Sequence, residues 1–495
     1  MFTFDGINSI NNVGIIMRLR WRRWLLVFAT TAVFVIVYRA NHSWRPDDQK
    51  PDVLREMQVY DNFAELSQEY QKHRTQEQTE TKKPTDQVSE WFKSVLKPYV
   101  VAGETKMDIE KSRQVLLNQN SQTKSVKLQH TAKKIDYINK ETVVKIPDDI
   151  LAMEPPQYLP NYKNPCWYQG NTTTVSLRCL PYFQLIGVDK SGTTDLWFRL
   201  VQHPQVLQLN GVLGKETHWW SWRRFGFDIW VRNAKIRSFE WYLQAFDRPA
   251  QKIESTIENN GNISGYHPLI TGEGSPTVFW DLTGWDMFPQ NRNLKPEDAY
   301  LTPHCIHHLT PSTKFIVIFR NPTERLYSDY LFLARFRNEK EKLTPETFNY
   351  AVIRSIKMLQ DCRAIHTIKS CLYNKTLHMH MPSRIMVGMY AVYLKEWYKV
   401  FPKSQILVLR NEDYSKDILG HITKVYNFLG LQELQSQTVQ RIASLKRQFT
   451  RSEKDLSVGP MWNQTRTVLN LFYKEYNTEL ASFLEDKRFL WNELM

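Results

Sequence analysis

Glycine is scarce in this chain, 18 of 495 residues. That excludes a Gly/Ser linker for the long polar stretch from Asn41 to about Ile146, which is built from Gln, Lys, Glu and Thr. The stretch is poor in long apolar runs, so it reads as a stem, with a helical segment expected over Asp52–Arg74. Cysteine is scarcer still, with 5 in all: Cys166, Cys179, Cys305, Cys362 and Cys371. Cys166 with Cys179, and Cys362 with Cys371, are near enough in sequence to close small loops in an oxidising compartment, which leaves Cys305 unpaired. There is no internal repeat.

Membrane-length apolar runs are also missing. The run WLLVFATTAVFVIVY, Trp24 to Tyr38, is short for a spanning helix, which takes about 17–25 residues. Arg39-Ala40 can extend it, because an arginine snorkels towards the headgroups. Arg18, Arg20, Arg22 and Arg23 precede the run and put its N-terminal side in the cytosol. The rival reading is a cleaved signal peptide, but the bulky Tyr-Arg-Ala before Asn41 is a poor cleavage site. The expected layout is therefore a cytosolic tail (1–23), a single transmembrane signal anchor (24–40), a lumenal stem (41–154) and a folded domain (155–495). So short a span suits a thin early-secretory membrane. Sequons at Asn41, Asn171, Asn262, Asn374 and Asn463 agree with a lumenal domain.

What is abundant is positive charge and aromatic area. The formal charge is +14 and the chain holds 16 Trp. The charge favours an anionic partner, with nucleic acid, anionic lipid and acidic polysaccharide all open on this ground alone. From Pro155 onward, short β-branched runs alternate with helical patterns. Strands are expected at Tyr182–Val188, Lys314–Arg320 and Ser404–Arg410. Helices are expected at Thr193–Gln202, Pro322–Arg337, Arg384–Val400, Ile418–Leu429 and Arg466–Glu485. Alternation of this kind predicts an α/β fold with a central parallel sheet flanked by helices.

Three stretches carry chemistry. In YFQLIGVDKSGTTDLW, Tyr182 to Trp197, the spacing of Gly187 and Gly192 matches a Walker loop, but Thr193 stands where the lysine belongs. The lysine comes earlier, at Lys190. A strand–loop–helix cradle for an anion remains, formed by Lys190, Ser191, Gly192, Thr193 and Thr194 at a helix N-terminus. A nucleotide-dependent kinase or NTPase would need the Walker lysine and a magnesium carboxylate. In FRNPTERLYSDY, Phe319 to Tyr330, Arg320 ends a strand at the carboxyl edge of the sheet and Ser328 follows in the second helical turn. An arginine fork with a hydroxyl suits a second phosphate. In GKETHWW, Gly214 to Trp220, Glu216 and His218 make an acid/base pair with Lys215 as a positive neighbour. The run PHCIHH, Pro303 to His308, packs its metal-type side chains too closely for an ordinary tetrahedral site, so no metal is expected there.

Taken in order, Lys-x-Gly-Thr-Thr after a strand, Lys-Glu-x-His followed by aromatics, and Arg-x-Pro-x-x-Arg-x-x-Ser-Asp-Tyr resemble the Golgi carbohydrate sulfotransferases. The segments Gly272–Asp281, Arg384–Trp397 and Gly459–Asn477 are similar to the branch containing N-acetylgalactosamine 4-sulfate 6-O-sulfotransferase. The resemblance runs from about Pro155 to the C-terminus. It implies a P-loop-like sulfotransferase fold and 3′-phosphoadenosine 5′-phosphosulfate (PAPS) as co-substrate, without a metal. It implies a sulfated glycosaminoglycan acceptor rather than nucleic acid, and a single-pass type II protein of the Golgi membrane.

The resemblance also implies roles. Lys190 through Thr194 would take the 5′-phosphosulfate, and Arg320 with Ser328 the 3′-phosphate. Glu216 would be the general base, with His218 beside it, and Lys190 would meet charge on the leaving oxygen. Apart from the resemblance, the Trp-rich segment from Trp219 to Trp241 could supply faces for sugar rings, with core packing the commoner fate of any single tryptophan. This chain departs from the family pattern at Asp189, Ser191 and Asn321. Asp189 puts a negative charge beside a phosphate site. The other readings in view are a different glycan acceptor such as heparan sulfate, and a polyanion-binding membrane protein that keeps the fold without catalysis.

Overall fold

Apolar runs of β-branched residues bounded by turn residues become strands here, and the polar-flanked periodic segments between them become helices. The computed structural model describes residues 148–170, 175–228, 234–260, 266–334 and 343–492. The predicted anchor, almost the whole predicted stem with its Asp52–Arg74 segment, and the sequons at Asn41, Asn171 and Asn262 lie outside the described residues. Among the described residues, no helix is long and apolar enough to cross a membrane.

An antiparallel hairpin comes first, β1 (Cys166–Gly170) and β2 (Val175–Cys179), with Cys166 opposite Cys179 and joined to it by a disulfide. The strands β3 (Phe183–Gly187), β4 (Val206–Leu207), β5 (Ile270–Glu273), β6 (Lys314–Phe319) and β7 (Ile406–Arg410) form one sheet in the order β4-β5-β3-β6-β7. Every pairing in it is parallel. All three sequence-predicted strands are present, at β3, β6 and β7, shortened by a residue or two at their ends.

The helices in the first half are α1 (Thr193–Leu200), α2 (Phe239–Gln244), α3 (Asp247–Asn260), α4 (Thr302–Leu309) and α5 (Pro322–Leu333). Those in the second half are α6 (Pro345–Arg363), α7 (Ile368–Leu372), α8 (Lys375–His380), α9 (Tyr390–Val400), α10 (Asn411–Lys416), α11 (Ile418–Leu429), α12 (Ser436–Ser444), α13 (Glu453–Ser457) and α14 (Asn463–Leu484). The second disulfide, Cys362–Cys371, ties the end of α6 to α7, and Cys305 is free and buried.

The sheet is covered on both faces. Along β6, Phe315, Val317 and Phe319 enter one core with Trp397 and Tyr390 of α9 and Phe472 of α14. Ile316 and Ile318 enter the other with Leu196 of α1 and Ile422 and Val425 of α11. The two-residue period of a strand produces this division, and burial on both faces is why the run reads as continuously apolar.

Two departures from the sequence reading have a visible physical cause. The expected helix from Arg384 begins as a 3₁₀ turn, Ile385–Gly388, and becomes α-helical only at Tyr390. The break falls at Gly388, whose bare backbone lies against Pro322 and Tyr473, where a Cβ would stand 2.8 Å from each. At the other end of the domain, Ile150 is buried in the first core and Asp148 Oδ2 accepts from the Phe239 amide at 2.7 Å. Packing therefore takes in residues that composition assigned to the stem.

Candidate active site

The strand β3 delivers the chain into a loop whose backbone is bent twice into the left-handed region, at Lys190 (φ 63°) and Gly192 (φ 94°). Such φ values are uncommon for lysine and cost energy that the surroundings must supply. Three clamps are visible. Arg320, just past β6, donates through Nη1 to the Lys190 carbonyl at 3.1 Å. Asn411, at the start of α10 just past β7, donates through Nδ2 to the Ser191 carbonyl at 2.7 Å. Asp189 accepts from Trp280 Nε1 at 2.6 Å and lies 3.6 Å from the Arg384 guanidinium. The acidic residue that departs from the family pattern is thus turned onto an indole and an arginine.

Gly192 then opens α1, and a Cβ on it would meet Asn411 Nδ2 at 2.6 Å. With the loop taking the phosphosulfate, as the resemblance implies, Gly192→Ala should lower affinity for that donor about 10- to 100-fold, the equivalent of about 1–3 kcal/mol of backbone strain, with the domain still folded. Titration of wild type and variant with 3′,5′-ADP checks this, and equal affinities would show that the loop does not need its glycine.

The second phosphate candidate joins the same loop. Lys190 Nζ lies over the Phe332 ring, 4.0 Å from its centroid. Phe332 is one helical turn beyond Ser328 on the same face of α5. Asn321 caps that helix, accepting from the Thr323 amide at 2.9 Å and the Glu324 amide at 3.2 Å. An asparagine oxygen caps as well as an aspartate one, so that departure leaves the helix start intact. Burial lowers the Arg320 pKa, but an arginine stays charged.

The acid/base segment is held by the end of β5 and the turn beyond it. Ser275 Oγ accepts from the His218 amide at 2.8 Å and the Thr217 amide at 3.1 Å, and donates to Glu273 Oε1 at 2.8 Å. Glu273 also accepts from the hydroxyls of Thr217 and Tyr242, the latter at 2.9 Å. Burial raises the Glu273 pKa, against the lowering effect of those hydroxyl donors. His218, itself left-handed at φ 50°, stacks on Trp222 with ring centroids 4.7 Å apart. Its Nδ1 is 3.0 Å from Thr277 Oγ1 and its Nε2 is 2.9 Å from Glu216 Oε2.

The other oxygen of Glu216 takes a lysine. Lys215 Nζ is 2.5 Å from Glu216 Oε1, 3.3 Å from Thr194 Oγ1 and 3.5 Å from Thr193 Oγ1. Burial pushes the Glu216 carboxyl up, but Lys215 and His218 more than offset that and hold it down at about 2. The carboxylate is ionised at any physiological pH.

The structure thus brings the predicted residues together through contacts the sequence did not show. Glu216 and His218 touch directly, and Lys215 links Glu216 to Thr193 and Thr194. Lys190 is joined to Arg320 by its carbonyl and to the Ser328 helix by Phe332. Sequence reasoning took Lys215 as a positive neighbour that helps keep Glu216 ionised, but missed its reach to Thr193 and Thr194 and missed Asn411. Asn411 had a legible signal, since it directly follows an apolar strand at the edge where α/β ligands bind.

The tryptophans are a partial correction. Trp219, Trp220 and Trp222 are buried in the core and present no face to a sugar. Trp241 is half-buried, beneath Arg223 and Arg237, and Trp230 lies outside the described residues. In the histidine run on α4, His304 Nδ1 accepts from the Leu301 amide, His308 Nε2 meets the Met153 carbonyl, and Cys305 receives Arg224. Among the described residues, no group of three or more potential ligands could hold a metal ion.

The anion loop, Lys215 with Glu216, and Arg320 all lie within a stretch that matches a known family model. The sulfotransferase domain model covers residues 181–466, and the chain belongs to that family. Within it, the chain belongs with the carbohydrate sulfotransferases. It is 34% identical over 386 residues to carbohydrate sulfotransferase 15 of Mus musculus, covering 69% of this chain and 67% of that protein. Carbohydrate sulfotransferase 15 of Homo sapiens is 33% identical over the same length and coverage. Among solved structures, a sulfotransferase from Alicyclobacillus acidocaldarius superposes with a TM-score of 0.39 at 19% identity, covering 62% of this chain and 96% of that one.

Proposed function

We propose that this enzyme transfers a sulfuryl group from PAPS to the 6-hydroxyl of N-acetylgalactosamine 4-sulfate in chondroitin or dermatan sulfate. The observation that carries the reaction type is the unbroken link from the anion loop to the base, Thr193 and Thr194 to Lys215 to Glu216. The acceptor rests on the family branch, and the net charge of +14 suits a polyanionic polymer.

The residues fit the donor. Two left-handed residues, the amides opening α1 and the cations Lys190 and Lys215 form a cradle for the phosphosulfate. Arg320 and Ser328 supply a fork and a hydroxyl for the phosphate that distinguishes PAPS from ATP. In the transfer, the acceptor oxygen attacks sulfur as the sulfur–oxygen bond to the 5′-phosphate breaks. Glu216 takes the hydroxyl proton, 3′,5′-ADP leaves, and the loop cations meet the charge on the leaving oxygen. His218 keeps Glu216 oriented through its Nε2 contact. For location we propose a type II protein of the Golgi membrane, anchored by residues 24–40 with the catalytic domain in the lumen. The two disulfides, which need an oxidising compartment, support that placement.

The test is incubation of the full-length protein with sulfur-labelled PAPS and a panel of glycosaminoglycans, followed by disaccharide analysis. Label in 4,6-disulfated N-acetylgalactosamine is the expected result. Label in another sugar, heparan sulfate included, would keep the reaction and overturn the acceptor. No label in any polymer, from protein that binds 3′,5′-ADP, would favour a polyanion-binding protein instead.

A further inference from the structure

We infer that Lys215 is a shared counter-ion that the sulfuryl donor draws away from Glu216, so that the base is released only when the donor is in place. The inference rests on the reading of the site as a PAPS-dependent transferase and adds a coupling between its two halves.

An ammonium has three N–H donors, and Lys215 has three partners. Two are the neutral hydroxyls of Thr193 and Thr194 on the first turn of α1, and the third is the Glu216 carboxylate. The side chain is fully buried. Its stem runs so close over Gly274 that a Cβ there would meet Lys215 Cγ at 2.6 Å and Cε at 2.9 Å. The ammonium therefore cannot swing out to solvent. It can only redistribute its bonds between the N-terminus of α1 on one side and the carboxylate on the other.

Donor binding changes the balance on the α1 side alone. A phosphosulfate there offers charged oxygens where only hydroxyls stood, and charge-assisted hydrogen bonds are roughly twice as strong as neutral ones. As Lys215 turns to the donor, Oε1 of Glu216 loses its cation, while Oε2 keeps His218. Without donor, the lysine makes Glu216 a weak base, in keeping with a carboxyl held down at about 2. With donor, the same oxygen is free to face an acceptor hydroxyl and its affinity for a proton rises. The acceptor is thus activated next to a sulfuryl group and not in its absence.

Reciprocity makes the inference testable without turnover. If the donor takes Lys215 from Glu216, neutralising Glu216 must tighten donor binding by the same coupling. Calorimetric titration with PAPS is expected to show Glu216→Gln binding roughly 5- to 150-fold tighter than wild type, the usual range of such couplings. Lys215→Met is expected to bind PAPS more weakly. In the Lys215→Met background, Glu216→Gln should change the affinity by less than about twofold, the mark of two groups acting as one unit. A purely structural lysine would not produce that pattern. Unchanged or weaker PAPS binding by Glu216→Gln, a variant that leaves the buried lysine in place, overturns the coupling. So does tightening that persists without Lys215. Failure of the wild-type protein to bind PAPS at all is a different result, and it sinks the transferase reading together with the coupling.

Discussion

Glu216→Gln abolishes transfer while the donor still binds. The amide keeps the shape of the carboxylate and still accepts from Lys215, but it cannot take a proton from the acceptor hydroxyl. The general-base contribution typically amounts to about 10²–10⁴-fold in rate, and a loss of that size in kcat is expected. Because the substitution also removes the charge that competes for Lys215, KM for PAPS should fall rather than rise. This split distinguishes a missing base from a damaged pocket, which would lower kcat and weaken the donor together. Initial rates with labelled PAPS at saturating acceptor give both constants. A kcat within about tenfold of wild type would reassign the base and make His218 the next residue to substitute.

The largest stability effect is expected at Arg384. Its guanidinium grips Asp329 bidentately, with Nε 2.8 Å from Oδ2 and Nη2 on Oδ1. Asp329 is 1% exposed and is shared with the fully buried Arg325, whose Nη1 is 3.3 Å away. Arg384→Met leaves that carboxylate one cation short, and breaking a buried pair from one side typically costs about 3–5 kcal/mol. Chemical unfolding of variant and wild type measures it, and a difference under about 1 kcal/mol would show that Arg325 alone suffices.

The acid side carries its own signature. Burial alone would raise the Asp329 pKa, but Arg384 and Arg325 lower it more, so the net shift is downward. A carboxyl depressed in the folded state contributes stability above its unfolded pKa of about 3.9, and that contribution is lost as pH falls through the folded value. Without Arg384 the depression shrinks, so acid unfolding should begin at a higher pH in the variant. The same substitution releases Asp189 from its second partner beside Lys190, so PAPS affinity should fall as well.

The candidate site residues could be picked out because their signals are local. The anion loop needs a strand, a glycine, hydroxyls and a lysine within a few residues, and YFQLIGVDKSGTT supplies them in order. Pro322 fits the first turn of the helix expected to start there, and the structure adds Asn321 as its cap. Glu216 and His218 are two apart and meet through a left-handed bend at His218. The reach of Lys215 to Thr193 and Thr194 was not legible, because 21 or 22 residues separate the partners and only the sheet brings them together. The tryptophans after His218 stayed open between a sugar face and the core for a related reason. An aromatic run has the same composition whether it faces a sugar or a core, and burial decides which.

The sequence by itself determined the alternation of strands and helices, the nearness of the cysteines in each pair and the residue types at the candidate site. Those are properties of residue type and short spacing, which the backbone obeys locally. Only the tertiary structure decided how the groups are poised. It turned Asp189 from a threat to phosphate binding into a partner of Trp280 and Arg384. It set Asn411 on the Ser191 carbonyl of the loop, and it buried one lysine between the first turn of α1 and Glu216. Each of those depends on parallel strands ending side by side. Their register sets which distant side chains share a dry space, and in a dry space one ammonium shared by two sites can couple them.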